Sequence, residues 1–407
     1  MMCKPLIEMV IEDSLVESTT DHQRKLFSVH GDHDGPSIIF IAGLHGNEPS
    51  GVHAMQHLFR AIEPLRSSMK GSVHGLTGNI GALRSSDRYL DTDLNRIWSV
   101  ERVEEIRQGK FVPQVRDESE QVELLQAIDE ILTADTGPFY FMDLHTTSSA
   151  TIPFVVVNDS LLNRRFTRQY PLPIILGIEE YLDGPLLSYI NELGYVAFGF
   201  EAGQHDDPDA TARDLAFARL SLHLCGVLDE EVFPVIEDAQ FLEDASNGVA
   251  NFFEIFYRYR ISEGEHFEMY PGYVNFQRIS LGQQFATSEG KPIYADRNAR
   301  VFMPLYQSQG SEGFFAIRSI PSIFLKLSAL LRNSNADRLL TWLPGVHWAS
   351  ASREALIVDR KVARFFAKQV FHLLGYRSRR RDRDHYIMKN REVASRDEAY
   401  ADAPWMR

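Results

Sequence analysis

The chain has 407 residues, 44% hydrophobic and 11% aromatic, with a net charge of -14 and 2 cysteines. Its length suits two domains and an appendage, and its apolar content suffices for sizeable cores. The acidic balance excludes a general nucleic-acid binder, which needs clustered Lys and Arg, and the two distant cysteines exclude a disulfide framework.

Taken in chain order, the first signals are mild. The start mixes acidic residues into its apolar stretch, so it does not read as a secretory leader, and no apolar run reaches transmembrane length. The expectation is a cytoplasmic protein with no membrane partner. Residues 37–43 form a short apolar run ending in glycine, which predicts a buried parallel strand. A helix is predicted from about Glu48 to Leu65, with Pro49 and Ser50 suited to its first turn. Leu124, Leu125, Ile128, Ile131 and Leu132 recur at helical spacing within 117–134. Strands follow over Pro138–Leu144 and Ile152–Val157, a helix over Pro185–Leu193, a strand over Tyr195–Glu201 and a helix over Asp207–Leu228. Alternating strands and helices imply an α/β fold, a mostly parallel or mixed sheet flanked by helices.

Near residue 230 the texture changes. From Phe252 to Phe324 short alternating segments and frequent glycines predict a smaller β domain. The periodicity then predicts an amphipathic helix over Arg353–Leu374, using Leu356, Val358, Val362, Phe365, Phe366, Val370 and Leu373, and a disordered charged tail from Arg377. The expected division is therefore 1–230 as the α/β domain, 231–330 as the small β domain, and 331–407 as a helical extension and tail.

Four segments carry candidate chemistry, each where a strand runs into a loop, the place where open α/β sheets bind ligands. In Gly43-Leu44-His45-Gly46-Asn47-Glu48, a His and a Glu three residues apart can turn toward one point, and both are ordinary zinc ligands. Asp143-Leu144-His145 ends a very apolar strand, so His145 can be a third ligand and Asp143 the acceptor that fixes its tautomer. Arg88-Tyr89-Leu90-Asp91-Thr92-Asp93-Leu94-Asn95-Arg96 offers two arginines and an asparagine that can read a carboxylate or stabilise an oxyanion. Glu201 closes an apolar strand beside Ala202 and Gly203, where burial would tune it for acid–base work. Each segment alone also has a purely structural reading: a loop histidine with a helix-start glutamate, a strand-end cap, a solvated charged loop, a salt-bridged glutamate.

Taken jointly, in this order and spacing, the segments resemble the succinylglutamate desuccinylase/aspartoacylase family, relatives of the zinc carboxypeptidases. The family pattern is a GxHGNE loop, an asparagine segment leading into RYxxxDLNR, a DLHxT segment and a strand ending in Glu. Here these are Gly43 to Glu48, Asn79 followed by Arg88 to Arg96, Asp143 to Thr146, and Glu201. The resemblance covers roughly residues 35–325. It implies a zinc carboxypeptidase-like sheet and one zinc per chain held by His45, Glu48 and His145. It also implies Glu201 as general base, Arg88 polarising the scissile carbonyl, and Asn95 and Arg96 holding a substrate carboxylate. It suggests that Tyr306, from the β domain, reaches the pocket. One departure stands out: Ile80 replaces the proline that usually follows the family's asparagine, which affects the shape of the substrate loop.

The implied activity is hydrolysis of the acyl–nitrogen bond of an N-acyl amino acid by a metal-activated water, with a small carboxylate-bearing molecule as partner. Two other readings remain: a zinc carboxypeptidase or esterase with the same site, and a non-catalytic binding protein on the same fold.

Overall fold

The computed structural model describes residues 23–334, 336–349, 354–359, 371, 373–380 and 385–406. The first half alternates as expected: β1 (Lys25–His30), β2 (His33–Ala42), α1 (Ser50–Ile62), β3 (Lys70–Thr77), α2 (Ile80–Ser85), α3 (Val100–Arg107), α4 (Arg116–Ala134), β4 (Phe139–Thr147) and β5 (Phe154–Val157). It continues with α5 (Leu161–Thr167), β6 (Ile174–Leu176), α6 (Leu186–Glu192), β7 (Val196–Gln204), α7 (Ala210–Cys225) and α8 (Ile236–Ala245). The strands β2, β4 and β7 lie side by side and parallel, with β3 beyond β2. Every residue of β4 is buried, which is why these strands read as unbroken apolar runs rather than as alternation.

Period two divides each strand between two cores. Ile38, Phe40, Met142, Leu144, Phe198 and Phe200 face α1 and α7, which answer with Val52, Met55, Leu58 and Phe217. Ile39, Ile41, Phe141 and Ala197 face the other way, onto Leu124, Leu125 and Ile128 of α4 and Leu186 of α6. The apolar stripes of α1 and α4 have the i, i+3, i+4 spacing that such a face needs.

The sheet does not stop at β7. It runs β1-β3-β2-β4-β7-β5-β6-β8-β14-β13-β10, taking in β8 (Phe252–Arg260), β10 (Arg278–Ile279), β13 (Ala299–Phe302) and β14 (Glu312–Ser319). Strand β5 runs antiparallel to β7 and so reverses the parallel pattern beside the site. The strands β9 (Phe267–Met269), β11 (Gln284–Ser288) and β12 (Lys291–Tyr294) form a separate small antiparallel sheet. The fold class is as expected: a large mixed sheet flanked by helices, with small antiparallel sheets toward the C-terminus.

The later segment differs from expectation. After α9 (Ser322–Asn333) come β15 (Val346–Trp348), β16 (Ala355–Asp359), β17 (Tyr376–Arg380) and β18 (His385–Asn390), a four-stranded antiparallel sheet. The start of the helix expected over Arg353–Leu374 is therefore a strand; Leu356 and Val358 are buried in alternation, opposite Met388 and Tyr386. Leu356 and Val358, two apart, fit the strand period; the helical expectation came from the spacing of the later Val362, Phe365, Phe366, Val370 and Leu373, extended back over them. Residues 360–370, the expected body of that helix, lie outside the described residues. The region expected to be a disordered tail is corrected too: β17 and β18 pair as a hairpin, and Tyr400 and Trp405 are buried against the first core.

Candidate active site

The site sits past the carboxyl ends of β2, β4 and β7, where the chain leaves the sheet. The loop after β2 must fold back sharply. Gly43 has φ 67, and a Cβ on Gly46 would fall 2.0 Å from the Ala82 carbonyl carbon, so the turn requires glycine at both positions. This turn brings His45 and Glu48 under the end of β4. His45 Nδ1 lies 2.9 Å from Glu48 Oε1, and His145 Nδ1 lies 2.8 Å from Glu48 Oε2. The outer nitrogens are held as well: His145 Nε2 is 2.7 Å from Asp143 Oδ2, and His45 Nε2 is 3.2 Å from Asp93 Oδ1. All three residues are buried. One nitrogen from each imidazole and a carboxylate oxygen lie within 4.8 Å of one another, and the Nε2 atoms are held by carboxylates, so the three residues form a donor set that suits a divalent cation such as zinc.

The electrostatics favour positive charge at this point. Burial pushes the Glu48 carboxyl up, but His45 and His145 outweigh it and hold it well below the usual range. Burial opposes charge on His145, yet Asp143 and Glu48 hold its proton well above the usual imidazole range. The same carboxylates would stabilise a metal ion in place of that proton. The other His/carboxylate group among the described residues, His30, His74 and Asp135, is on the edge strand β1, its neighbour β3 and the entry to β4; there Asp135 already accepts from Ser37 and Ser72.

Glu201 stands across from His145 in the register of β4 and β7. It is buried, and its Oε2 has no hydrogen-bond partner. Burial pushes its carboxyl well above the usual range, reinforced by Glu48 and Asp143 against the pull of His145 and Arg88. Arg88 bonds Asp93 Oδ2 at 3.2 Å and reaches Glu48 Oε1 at 3.6 Å. Asn95 uses Oδ1 to accept from the Leu186 amide at 2.9 Å. Arg96 reaches Glu312 Oε2 at 3.3 Å. The Nε atoms of Arg88 and Arg96 are buried without partners, as is Glu201 Oε2. Such orphaned groups in one cleft mark a place built for a ligand.

The loop carrying these arginines is fixed from behind. Asp117 of α4 is fully buried and accepts from Asn79 Nδ2 and from the amides of Leu90, Asp91 and Thr92. Ile80, in place of the family's proline, retains an amide, and it and Gly81 donate to Glu120. The departure thus adds an anchor at the start of α2.

His45, Glu48, Arg88, Asn95, Arg96, His145 and Glu201 all line one cleft of about 160 Å³, and Asp143 lies directly behind it. Tyr306 is not brought there: its hydroxyl donates to Tyr270 O at 2.7 Å and accepts from the Tyr273 amide, while its neighbours Leu305 and Gln307 line the cleft. Several residues escaped the sequence reading. Asp93 stood within the Arg88–Arg96 run and had a signal, as an acid between two arginines. His205, Gln307 and Glu312 had none. Gln307 Oε1 meets Asn47 Nδ2 at 3.0 Å and His205 Nε2 at 3.1 Å, closing the rim with a residue 260 positions from Asn47.

Residues 34–222 match the family model described as the succinylglutamate desuccinylase/aspartoacylase catalytic domain. A succinylglutamate desuccinylase of Paraburkholderia xenovorans is 27% identical over 118 residues, 28% of this chain and 32% of that protein. One of Burkholderia pseudomallei is 38% identical over 66 residues, 15% of this chain and 18% of that protein. The chain thus spans about a third or less of the length of these curated relatives. In fold, a succinylglutamate desuccinylase of Vibrio parahaemolyticus is similar with a TM-score of 0.52 at 14% identity, covering 77% of this chain and 95% of that one. A succinylglutamate desuccinylase/aspartoacylase of Rhodobacter sphaeroides gives 0.53 at 16% identity, covering 72% and 88%. The similarity to the succinylglutamate desuccinylase/aspartoacylase catalytic domain thus runs over residues 34–222, the stretch that holds His45, Glu48, Arg88, Asn95, Arg96, His145 and Glu201.

Proposed function

We propose that the protein is a zinc-dependent hydrolase that cleaves the amide bond of an N-acyl amino acid, releasing a carboxylic acid and the free amino acid. The observation that carries this reading is the convergence of His45, Glu48 and His145 on one point, with the unpaired Oε2 of Glu201 buried in the same cleft.

In this reading His45, Glu48 and His145 hold the cation, and Asp143 and Asp93 orient the two imidazoles. When bound, zinc supplies Lewis acidity, which polarises a carbonyl and makes a water acidic near neutral pH. Glu201 takes the water's proton at Oε2 and passes it to the leaving nitrogen as the carbon–nitrogen bond breaks. Arg88 donates to the carbonyl oxygen as negative charge develops there. Asn95 Nδ2 and the free Nε–H of Arg96 grip the substrate carboxylate and set the amide beside Glu201.

The test is one variant with three readouts. Glu201→Gln keeps the shape but accepts no proton. Metal content and melting temperature should match wild type, while turnover of N-acyl amino acids falls at least about a hundredfold. Normal turnover with normal metal content would overturn the mechanism; loss of metal would make Glu201 a ligand instead.

A further inference from the structure

The cleft has a second arm that the chemistry above does not use. It runs from the reacting groups along one face of β7, under α6. On that face Ala197, Gly199 and Glu201 point the same way, by the period of two. Val156 of β5 stands directly opposite Gly199, and Leu187 of α6 covers it. Ile178 and Leu182 complete the wall. Asn158 and Ser188 also line it, and Asn158 Nδ2 donates to Ser188 Oγ at 3.1 Å, so the two polar side chains satisfy one another.

The arm begins where the substrate carboxylate would be held. Asn95 Oδ1 takes the first amide of α6, and Leu187 of that same helix roofs the arm. In an N-acyl amino acid, the group next to the carboxylate is the side chain on the α carbon. Among the described residues lining the cleft, the only arginines are Arg88 and Arg96, and no lysine lines it. Both arginines already face acids: Arg88 faces Asp93 and Glu48, and Arg96 faces Glu312 and, at 4.0 Å, Asp93. A second carboxylate would enter an apolar arm without a cation and lose its hydration there.

We infer that this arm selects the released amino acid, admitting an apolar side chain such as that of leucine, methionine or phenylalanine and rejecting aspartate and glutamate. The inference rests on the hydrolase reading above. Gly199 faces Leu187 along one side of the arm: a Cβ there would already touch Leu187 Cδ1 at 3.5 Å, an ordinary contact that closes the gap between the two and narrows the arm without a clash.

The experiment uses the full chain supplemented with zinc and reads binding as well as turnover. Free leucine, phenylalanine, aspartate and glutamate are titrated by calorimetry, and their N-acetyl derivatives are assayed for kcat/KM. Leucine and phenylalanine should bind at least about tenfold more tightly than the acidic pair, and their derivatives should be preferred by the same factor, the scale of apolar pocket discrimination. Gly199→Ala should lower phenylalanine affinity more than alanine affinity. Leu187→Arg should shift preference toward glutamate by about tenfold or more. Equal or tighter binding of aspartate or glutamate by the wild-type chain overturns the inference, whether or not turnover occurs. Apolar binding without hydrolysis of any derivative would overturn the hydrolase reading and leave the arm's selectivity standing.

Discussion

Asp93 shows how much a single carboxylate can carry. It is nearly buried, and although burial pushes its carboxyl up, Arg88, Arg96 and His45 hold it well below the usual range, so it stays ionised. It then orients His45 and fixes Arg88 at once. Asp93→Ala should lower zinc affinity by roughly ten- to a hundredfold, read by competition with a chelator, because the imidazole loses its outer partner. Unchanged affinity would remove Asp93 from the support of the site. Arg96→Lys should weaken turnover of carboxylate-bearing substrates strongly, since lysine lacks a planar fork; equal kinetics would count against a clamp. These residues differ in how visible they were. His45, Glu48, His145 and Glu201 could be singled out because their segments occur jointly, in one order and spacing, whereas each alone also had a structural reading. Glu312 and Gln307 could not, because tertiary folding alone brings them to the rim.

At the scale of elements, the Arg88–Arg96 loop owes its shape to one side chain on α4. Asp117 accepts four hydrogen bonds, from Asn79, Leu90, Asp91 and Thr92. Asp117→Ala strands those donors, at about 1–3 kcal/mol for a buried group left unsatisfied. It should lower the denaturation midpoint and cut kcat/KM while zinc content stays at the wild-type level. A variant with wild-type kinetics would show that the loop holds its form without this anchor. The parallel strands and the long helices were legible because their apolar patterns exceed the ambiguity of short runs. The strand β16 was not, since the helical spacing of the apolar residues after it masked the strand period of Leu356 and Val358, which pair with β18.

At the scale of the whole molecule, a buried charge cluster ties the late segment to the sheet. Arg164, Arg332 and Arg391 surround Asp159, in the turn after β5, and Arg391 also reaches Glu179 and Glu180. Burial pushes the Asp159 carboxyl up, but the three arginines outweigh it and hold it far below the usual range. A depressed pKa contributes stability that is present above the unfolded value of about 4 and is lost as pH falls through and below it. Melting temperature should therefore drop on acidification below about pH 4, and Asp159→Asn should melt lower at neutral pH and show a flatter acid limb. A parallel pH profile for variant and wild type would place the acid sensitivity elsewhere. None of this cluster was legible in the sequence, where Arg391 looked like part of a solvated tail.

The same late segment bears on how the protein is made. Tyr400 donates to the Phe139 carbonyl and accepts from the Val196 amide at 2.9 Å, and Trp405 Nε1 donates to Tyr140 at 2.9 Å across 265 positions of sequence. These two side chains cover one end of the first core, beside Tyr140 and Phe166. A ribosome adding about 5–20 residues per second needs on the order of tens of seconds to travel from β4 to Trp405. During that interval the apolar face that they cover stays open to water and to other chains, so demand for chaperones should peak while the nascent chain is long but not yet closed.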